Sequence, residues 1–365
     1  MVHFKYGIDF FSLLPESENN SSIRTIEWKN NKVVMIDQTK LPNQLVFVEY
    51  DDYNQVADAI RNLVVRGAPA IGVSGAFGLA LAVLQSDSKT KEELISDLQK
   101  ARHVLFQTRP TAVNLAWGLE QIMKVAELGN SVDEIKDMVI TTAKDMADKD
   151  IEINKTMGKF GAELFENNDT IMTHCNAGAL ATVAYGTALG VIRATKESGK
   201  NIKVIATETR PVQQGSRLTA FELKHDGFDV SLIPDTAVGY SMINGLVNKV
   251  VVGADRIVRT GHVFNKIGTY QVATMAKQHG VPFYVAAPLS TFDMETDANE
   301  VIIEMRKGTE VTGVGDTKTA PDGINVINPA FDMTPPELIS GIITEKGVAK
   351  PPFEESIKKL FEANL

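Results

Sequence analysis

One cysteine, Cys175, stands in a chain of 365 residues, so no intrachain disulfide can form. Histidine is scarce, with six in all, and neither a histidine pair nor a Cys/His spacing suggests a metal site. There is no G-x-x-x-x-G-K-[ST] loop and no G-x-G-x-x-G placed after a strand, so no nucleotide is indicated and no cofactor is expected. Basic residues never gather into a long run and the net charge is −9, which makes nucleic acid and anionic membranes poor partners. No stretch holds about 18 uninterrupted apolar residues, the length a membrane-spanning helix needs. The first residues, MVHFKYGIDFFSLLPESENN, contain a short apolar part but no signal-peptide cleavage pattern. A soluble, cytoplasmic protein is the expectation.

The length allows one large or two medium domains, and a hydrophobic fraction of 44% is ordinary for a globular chain. Residues 16–22 are polar and loop-like. IRTIEWKNNKVVMID reads as a β-hairpin turning at Asn30-Asn31, and LVFVEY (45–50) as a third strand. From Tyr53 the apolar spacing becomes helical. Arg66-Gly67-Ala68-Pro69 breaks the first helix, and Pro69 suits the start of a second, whose Gly72, Gly75 and Gly78 suggest close helix packing. Capping boxes at Thr90-x-x-Glu93 and Ser131-x-x-Glu134 open two more helices. Between them TAVNLAWGLEQIMKVAEL forms another, with Val113, Trp117, Leu119 and Ile122 on its apolar stripe. The helix opened at Ser131 runs to about Phe165.

After Asn167-Asn168-Asp169 the rhythm changes. Strand-like segments at 170–174, 202–206, 229–233, 248–252, 281–285 and 324–327 are mostly separated by helical patterns at 178–198, 212–226, 236–247 and 268–280. One or two helices follow Pro335. Alternation of this kind argues a parallel sheet with helices on both faces. The expected fold is α/β. Residues 1–145 form a smaller N-terminal domain of a short antiparallel sheet plus helices, and residues 146–365 a Rossmann-like, doubly wound catalytic domain.

In such sheets ligands bind at the carboxyl ends of the strands. Asp255 follows the β-branched run Val250-Val251-Val252 and would reach that edge, although an acid there can also simply cap a turn. Asn265 and Lys266 come next, then Gly268 and a helix start. Cys175 ends another strand and precedes a helical pattern, a setting that favours a thiolate. A small buried hydrophobe is the other reading of a lone cysteine. Its neighbour His174 points to the opposite face and reads as structural. Arg66, Arg109, Arg210 and Lys266 lie near turns, where phosphate binding or separate salt bridges explains them. Gln214 can bond a hydroxyl or cap a turn.

Several segments together resemble the methylthioribose-1-phosphate isomerase family. They are Arg66-Gly67-Ala68-Pro69-Ala70-Ile71-Gly72, Arg109-Pro110-Thr111-Ala112-Val113-Asn114, Thr173-His174-Cys175-Asn176-Ala177-Gly178, and Glu208-Thr209-Arg210-Pro211 with Gln214-Gly215-x-Arg217-Leu218-Thr219. Gly253-Ala254-Asp255-Arg256, Asn265-Lys266-Ile267-Gly268-Thr269 and Phe331-Asp332-Met333-Thr334-Pro335 complete the set, and the likeness spans nearly the whole chain. The resemblance implies a homodimeric enzyme of methionine salvage acting on a sugar phosphate. Asp255 would be the proton donor, and Cys175 would stabilise the transition state or shuttle the proton. Arg66, Gly67, Ala68, Arg109, Gln214, Asn265 and Lys266 would hold the substrate. Related readings are an isomerase of 5-deoxyribose 1-phosphate or ribose 1,5-bisphosphate, and a non-catalytic subunit that senses sugar phosphates.

Overall fold

The structure is a computed structural model describing residues 23–315 and 317–362. The expectations for residues 1–22 therefore lie outside the described residues.

The described chain opens on an antiparallel sheet of β1 (Ile26–Lys29), β2 (Lys32–Ile36) and β3 (Phe47–Tyr50). Asn30 and Asn31 close the hairpin at φ 52° and 58°, the left-handed pair a tight two-residue turn needs. Five helices follow: α1 (Tyr53–Arg61), α2 (Ala68–Gln85), α3 (Lys91–Phe106), α4 (Val113–Leu128) and α5 (Val132–Ala162). The capping box at Thr90 is complete, with Thr90 accepting from the Glu93 amide and Glu93 reaching back to the Thr90 amide. At the second, Ser131 accepts from Glu134, whose own carboxylate takes the Asn130 amide instead.

Residues 70–83 of α2 are all buried, packed among α1, α3, α4 and α5. This helix is long and apolar enough to cross a bilayer, but it is the core of a helical layer. A Cβ on Gly118 would stand 2.4 Å from the Gly72 carbonyl oxygen, so α2 and α4 touch backbone to backbone. That contact turns Leu115, Gly118 and Leu119 inward. Trp117, expected on the buried stripe, is left 40% exposed.

Beyond α5 come β4 (Thr170–Thr173), α6 (Ala188–Glu197), β5 (Lys203–Thr207), α7 (Ala220–His225), β6 (Asp229–Ile233), α8 (Val238–Ile243) and β7 (Lys249–Val252). Then follow β8 (Arg256–Val258), β9 (Val263–Lys266), α9 (Thr269–Gln278), β10 (Phe283–Ala286), β11 (Phe292–Asp293), α10 (Thr309–Thr312), β12 (Gly313–Val314) and β13 (Thr317–Lys318). The last elements are β14 (Phe331–Thr334), β15 (Gly341–Thr344), β16 (Gly347–Ala349) and α11 (Phe353–Glu362). Six strands run parallel in the order β6-β5-β4-β7-β10-β15, and β16 adds an antiparallel edge. Side chains alternate between the faces. Val250, Val252, Val285 and Ile342 pack with residues of α8, α9 and α11, whereas Val251, Ala286 and Ile343 pack with residues of α5, α6 and α7.

The structure corrects three expectations about the second half. Residues 324–327 are irregular, with Ile324 55% and Ile327 85% exposed. The sixth parallel strand is instead β15, all four of whose residues are buried. Residues 178–198 are not one helix, because a loop with a short turn at Ala179–Ala181 precedes α6. The helix expected at 212–226 opens as a wide π turn, Gly215–Thr219, before α7. A Cβ on Gly215 would stand 1.7 Å from the Thr207 carbonyl oxygen, so this turn lies directly on the end of β5. The structure also adds a sheet that the strand pattern does not show: β11, β8, β9 and β14 make a further, four-stranded sheet, whose β9 carries Asn265 and Lys266.

Candidate active site

Above the carboxyl ends of β4, β5 and β7 lies a cleft of about 700 Å³, walled on the other side by the α1–α2 junction. Cys175 and Asp255 both line it, as do Arg66, Gly67, Ala68, Arg109, Gln214, Asn265 and Lys266. Every residue to which the resemblance gives a role thus meets in one place. Arg210 is not among the residues lining the cleft, and its guanidinium donates to the Pro211 and Val311 carbonyls.

The backbone around the cleft is held in conformations that cost energy. Cys175, Thr209 and Gln213 have φ of 65°, 62° and 59°. A β-branched residue such as Thr209 is rarely left-handed, and its neighbours compensate. Asp235 accepts the Thr209 amide at 2.8 Å and the Arg210 amide at 2.7 Å. The Thr209 hydroxyl in turn accepts the Cys175 amide at 2.8 Å, and the Thr219 hydroxyl donates to the Cys175 carbonyl at 2.6 Å. Cys175 is 9% exposed and no helix begins directly after it, so the helix-dipole argument for its thiolate does not hold. His174 is structural as read. It bridges the Thr207 hydroxyl at 2.7 Å and the Ile267 carbonyl at 2.9 Å, and burial lowers its pKa.

Asp255 sits just past β7, its amide bonded to the Phe264 carbonyl at 2.9 Å. Burial pushes its pKa up, while Lys266, Arg109 and Arg66 pull the other way. Lys266 is 8% exposed and lies 4.8 Å from the centre of the Phe331 ring. Burial lowers its pKa, and Cys175 and Asp255 oppose that shift. Asn265 donates to the Thr269 hydroxyl at 3.0 Å, and the side-chain oxygen of Gln214 is buried without a hydrogen-bond partner among the described residues. Gly67, at φ 96°, caps α2, and a Cβ there would stand 2.4 Å from the Ala181 backbone. The amino end of α2 therefore opens toward the cleft with little bulk, a favourable setting for an anion.

The cations fall into two groups. Arg109 pairs with Glu304 at 2.8 Å, and Arg306 with Glu310 at 2.6 Å. Arg66 and Arg217 donate only to oxygens of carbonyl or amide groups, and among the described residues neither they nor Lys266 meets a carboxylate within ion-pair distance. Three cations without counter-ions face one cleft, an arrangement suited to a phosphate. The sequence assigns Arg217 no role and does not single out Glu304 or Arg306. Arg217 stands in the motif Gln214-Gly215-x-Arg217-Leu218-Thr219 that carries the resemblance, and its spacing of three from Gln214 is the signal that it shares the same face. Among the described residues no group of three or more His, Cys, Asp or Glu side chains converges as a metal would require.

An α/β protein with an acid, a thiol and unpaired cations at its strand ends belongs to the broad class that binds anionic small molecules at such edges. The match is closer than that: residues 64–351 fit the initiation factor 2 subunit family, and the chain belongs to it. A methylthioribose-1-phosphate isomerase of Thermosipho africanus is 52% identical over 339 residues, covering 93% of this chain and 98% of the relative. The crystal structure of 5-methylthioribose 1-phosphate isomerase from Pyrococcus horikoshii OT3 is 45% identical, covers 100% of both chains and superposes with a TM-score of 0.87. A structure described as translation initiation factor eIF-2B, subunit delta, from A. fulgidus is 50% identical, with a TM-score of 0.84 over 93% of this chain and 100% of that one.

Proposed function

We propose that this protein is an aldose–ketose isomerase converting 5-methylthioribose 1-phosphate to 5-methylthioribulose 1-phosphate in methionine salvage. The observation that carries the reading is the meeting of Cys175, Asp255 and three cations without carboxylate partners in one cleft. The relatives' names supply the substrate.

The phosphate on the anomeric oxygen prevents free ring opening, so the ring C1–O4 bond must break with a proton delivered to O4. Asp255 is the acid for this step, because its raised pKa keeps it protonated closer to neutral pH. Hydrogen then passes from C2 to C1 and the C2 hydroxyl gives up its proton, leaving a carbonyl at C2; that proton replaces the one delivered to O4. The formula is unchanged and no external oxidant is consumed. Cys175 faces the same space and carries or stabilises that transfer. Arg66, Lys266 and Arg217, with the amides at Gly67 and Ala68, hold phosphate; Arg109, held by Glu304, contacts substrate from the same cleft, while Gln214 and Asn265 take hydroxyls.

The strand order supports a Rossmann-like, doubly wound reading, since β4 and β7 flank the point where the winding reverses. The separate cores on either side of α5 support a division near residue 145 into an N-terminal unit (1–145) and a catalytic unit (146–365). A cytoplasmic homodimer completes the proposal, and light scattering should return twice 39.8 kDa.

A panel of 5-methylthioribose 1-phosphate, 5-deoxyribose 1-phosphate and ribose 1,5-bisphosphate tests the substrate. Highest kcat/KM on the first, with the ketose 1-phosphate as product, is the expected result. No turnover of any of the three, with recovery in a heteromeric complex, would favour a non-catalytic subunit. The likeness to the A. fulgidus protein is the observation behind that second reading.

A further inference from the structure

Beneath the loop that carries Cys175 lies a carboxylate that the chemistry above does not use. Glu222, on α7, is completely buried. One of its oxygens accepts the Asn176 side-chain amide at 2.9 Å and the Leu180 backbone amide at 3.1 Å. The other accepts the Ala179 backbone amide at 2.7 Å and the Arg193 guanidinium at 2.8 Å. Arg193 is itself buried and also pairs with Asp226 at 2.5 Å. A Cβ at Gly178 would come within 2.3 Å of the Glu222 carboxylate, so the loop closes directly over it.

Asn176 is the link outward. Its side-chain oxygen accepts Arg66 at 2.6 Å, and its backbone carbonyl accepts both terminal nitrogens of Arg66 at 3.0 and 2.7 Å. Its side-chain nitrogen points the opposite way, to Glu222 and to the Thr219 hydroxyl at 3.2 Å. The amide dipole thus lies between a cation and an anion, which fixes its orientation: a flip would set NH₂ against guanidinium and oxygen against carboxylate. Residues 66, 176 and 222 form one chain of charge-assisted hydrogen bonds from the cleft to the protein interior.

We propose that Glu222 is a positioning residue for substrate binding, setting the Arg66 guanidinium through Asn176 while fixing the loop that bears Cys175. This rests on the reading of Arg66 as a phosphate ligand. Arg66 has no carboxylate partner among the described residues, so its guanidinium stays available to an anion. The negative charge that orients it stands one residue removed, where substrate cannot displace it.

A double-mutant cycle on the full-length enzyme tests this, with KM and kcat for 5-methylthioribose 1-phosphate and the melting temperature as readouts. Arg66→Ala should raise KM. Glu222→Gln keeps the side-chain shape but removes the charge, and it should raise KM roughly ten-fold, as loss of a charge-assisted hydrogen bond does. Introduced into Arg66→Ala, it should raise KM little further, because both act on one contact. Asn176→Ala guards against misfolding. It leaves the Arg193–Glu222 pair intact and should reproduce the rise in KM and its dependence on Arg66. If either change multiplies KM equally with and without Arg66, or lowers only the melting temperature, the proposal is overturned and the phosphate reading survives. If Arg66→Ala leaves KM unchanged, both fall together.

Discussion

Two buried positive charges lie close to the Cys175 loop and are treated in opposite ways. Arg193, 5% exposed, is met by Glu222, Asp226 and the Tyr185 carbonyl. Lys266, 8% exposed, has an aromatic ring beside it and no carboxylate within ion-pair distance among the described residues. Desolvating a cation costs several kcal/mol unless its partners are good. At Arg193 that cost is offset inside the chain, which makes the cluster architectural. At Lys266 it is left standing, and a bound anion is what would offset it. Where a fold leaves a buried charge unanswered, the missing partner is a ligand.

The largest effect is expected at the acid itself. Asp255→Asn keeps the size of the side chain and removes the proton, so kcat should fall by about 10²–10⁴-fold, the usual worth of general acid catalysis. Substrate should still bind, and equilibrium binding beside steady-state kinetics checks both. Near-normal kcat would remove Asp255 from the chemistry.

The contrast between the two cations predicts opposite outcomes for one kind of substitution. Arg193→Met strands Glu222 and Asp226 in the interior and should cost about 3–5 kcal/mol of stability. Lys266→Met strands nothing. It should leave unliganded stability unchanged or raised by about 1 kcal/mol, while KM rises roughly ten-fold or more for loss of a charge-assisted contact. Denaturant melts of the two variants, with and without substrate, decide the matter. Equal destabilisation by both would mean that Lys266 is as structural as Arg193.

The sequence reveals some of this and conceals the rest for physical reasons. Thr90-x-x-Glu93 and Asn30-Asn31 are legible because capping and tight turns are local, settled within four residues. Val250–Val252 is legible because a strand buried on both faces is continuously apolar. The strand ends point to the cleft, while the resemblance names most of its residues. Strands β8 and β11, of three and two residues, are too short to show a period. The INVI segment looks like a strand, but its isoleucines face solvent, and strand pairing is decided by neighbours the local pattern does not name. The Glu222–Asn176–Arg66 chain joins residues 46 and 110 positions apart, and no spacing rule reaches that far. The left-handed turns at Cys175 and Thr209 are hidden as well, because neither residue type advertises that conformation.

The smallest effect concerns an acid that does not line the cleft, which tests whether unanswered charge is special to it. Asp150, midway along α5, is 9% exposed, accepts the Val183 amide at 2.8 Å and has no cation paired with it among the described residues. Burial raises its pKa from 3.8 to about 7. The native state therefore holds a proton that the unfolded chain gives up, so stability from this group is whole below pH 3.8 and drains away as pH climbs to about 7. Asp150→Asn keeps an oxygen for Val183 and has nothing to ionise. At pH 8 it should be more stable than wild type by on the order of 2 kcal/mol, the ionisation cost less the weaker amide bond. At pH 4 the two should be nearly equal. Urea melts across that range read the difference directly, and a constant gap between the proteins would mean that Asp150 does not titrate in the native state. A gap that opens with rising pH would make Asp150 a group whose partner is a proton, as Arg193 has carboxylates and Lys266 awaits an anion.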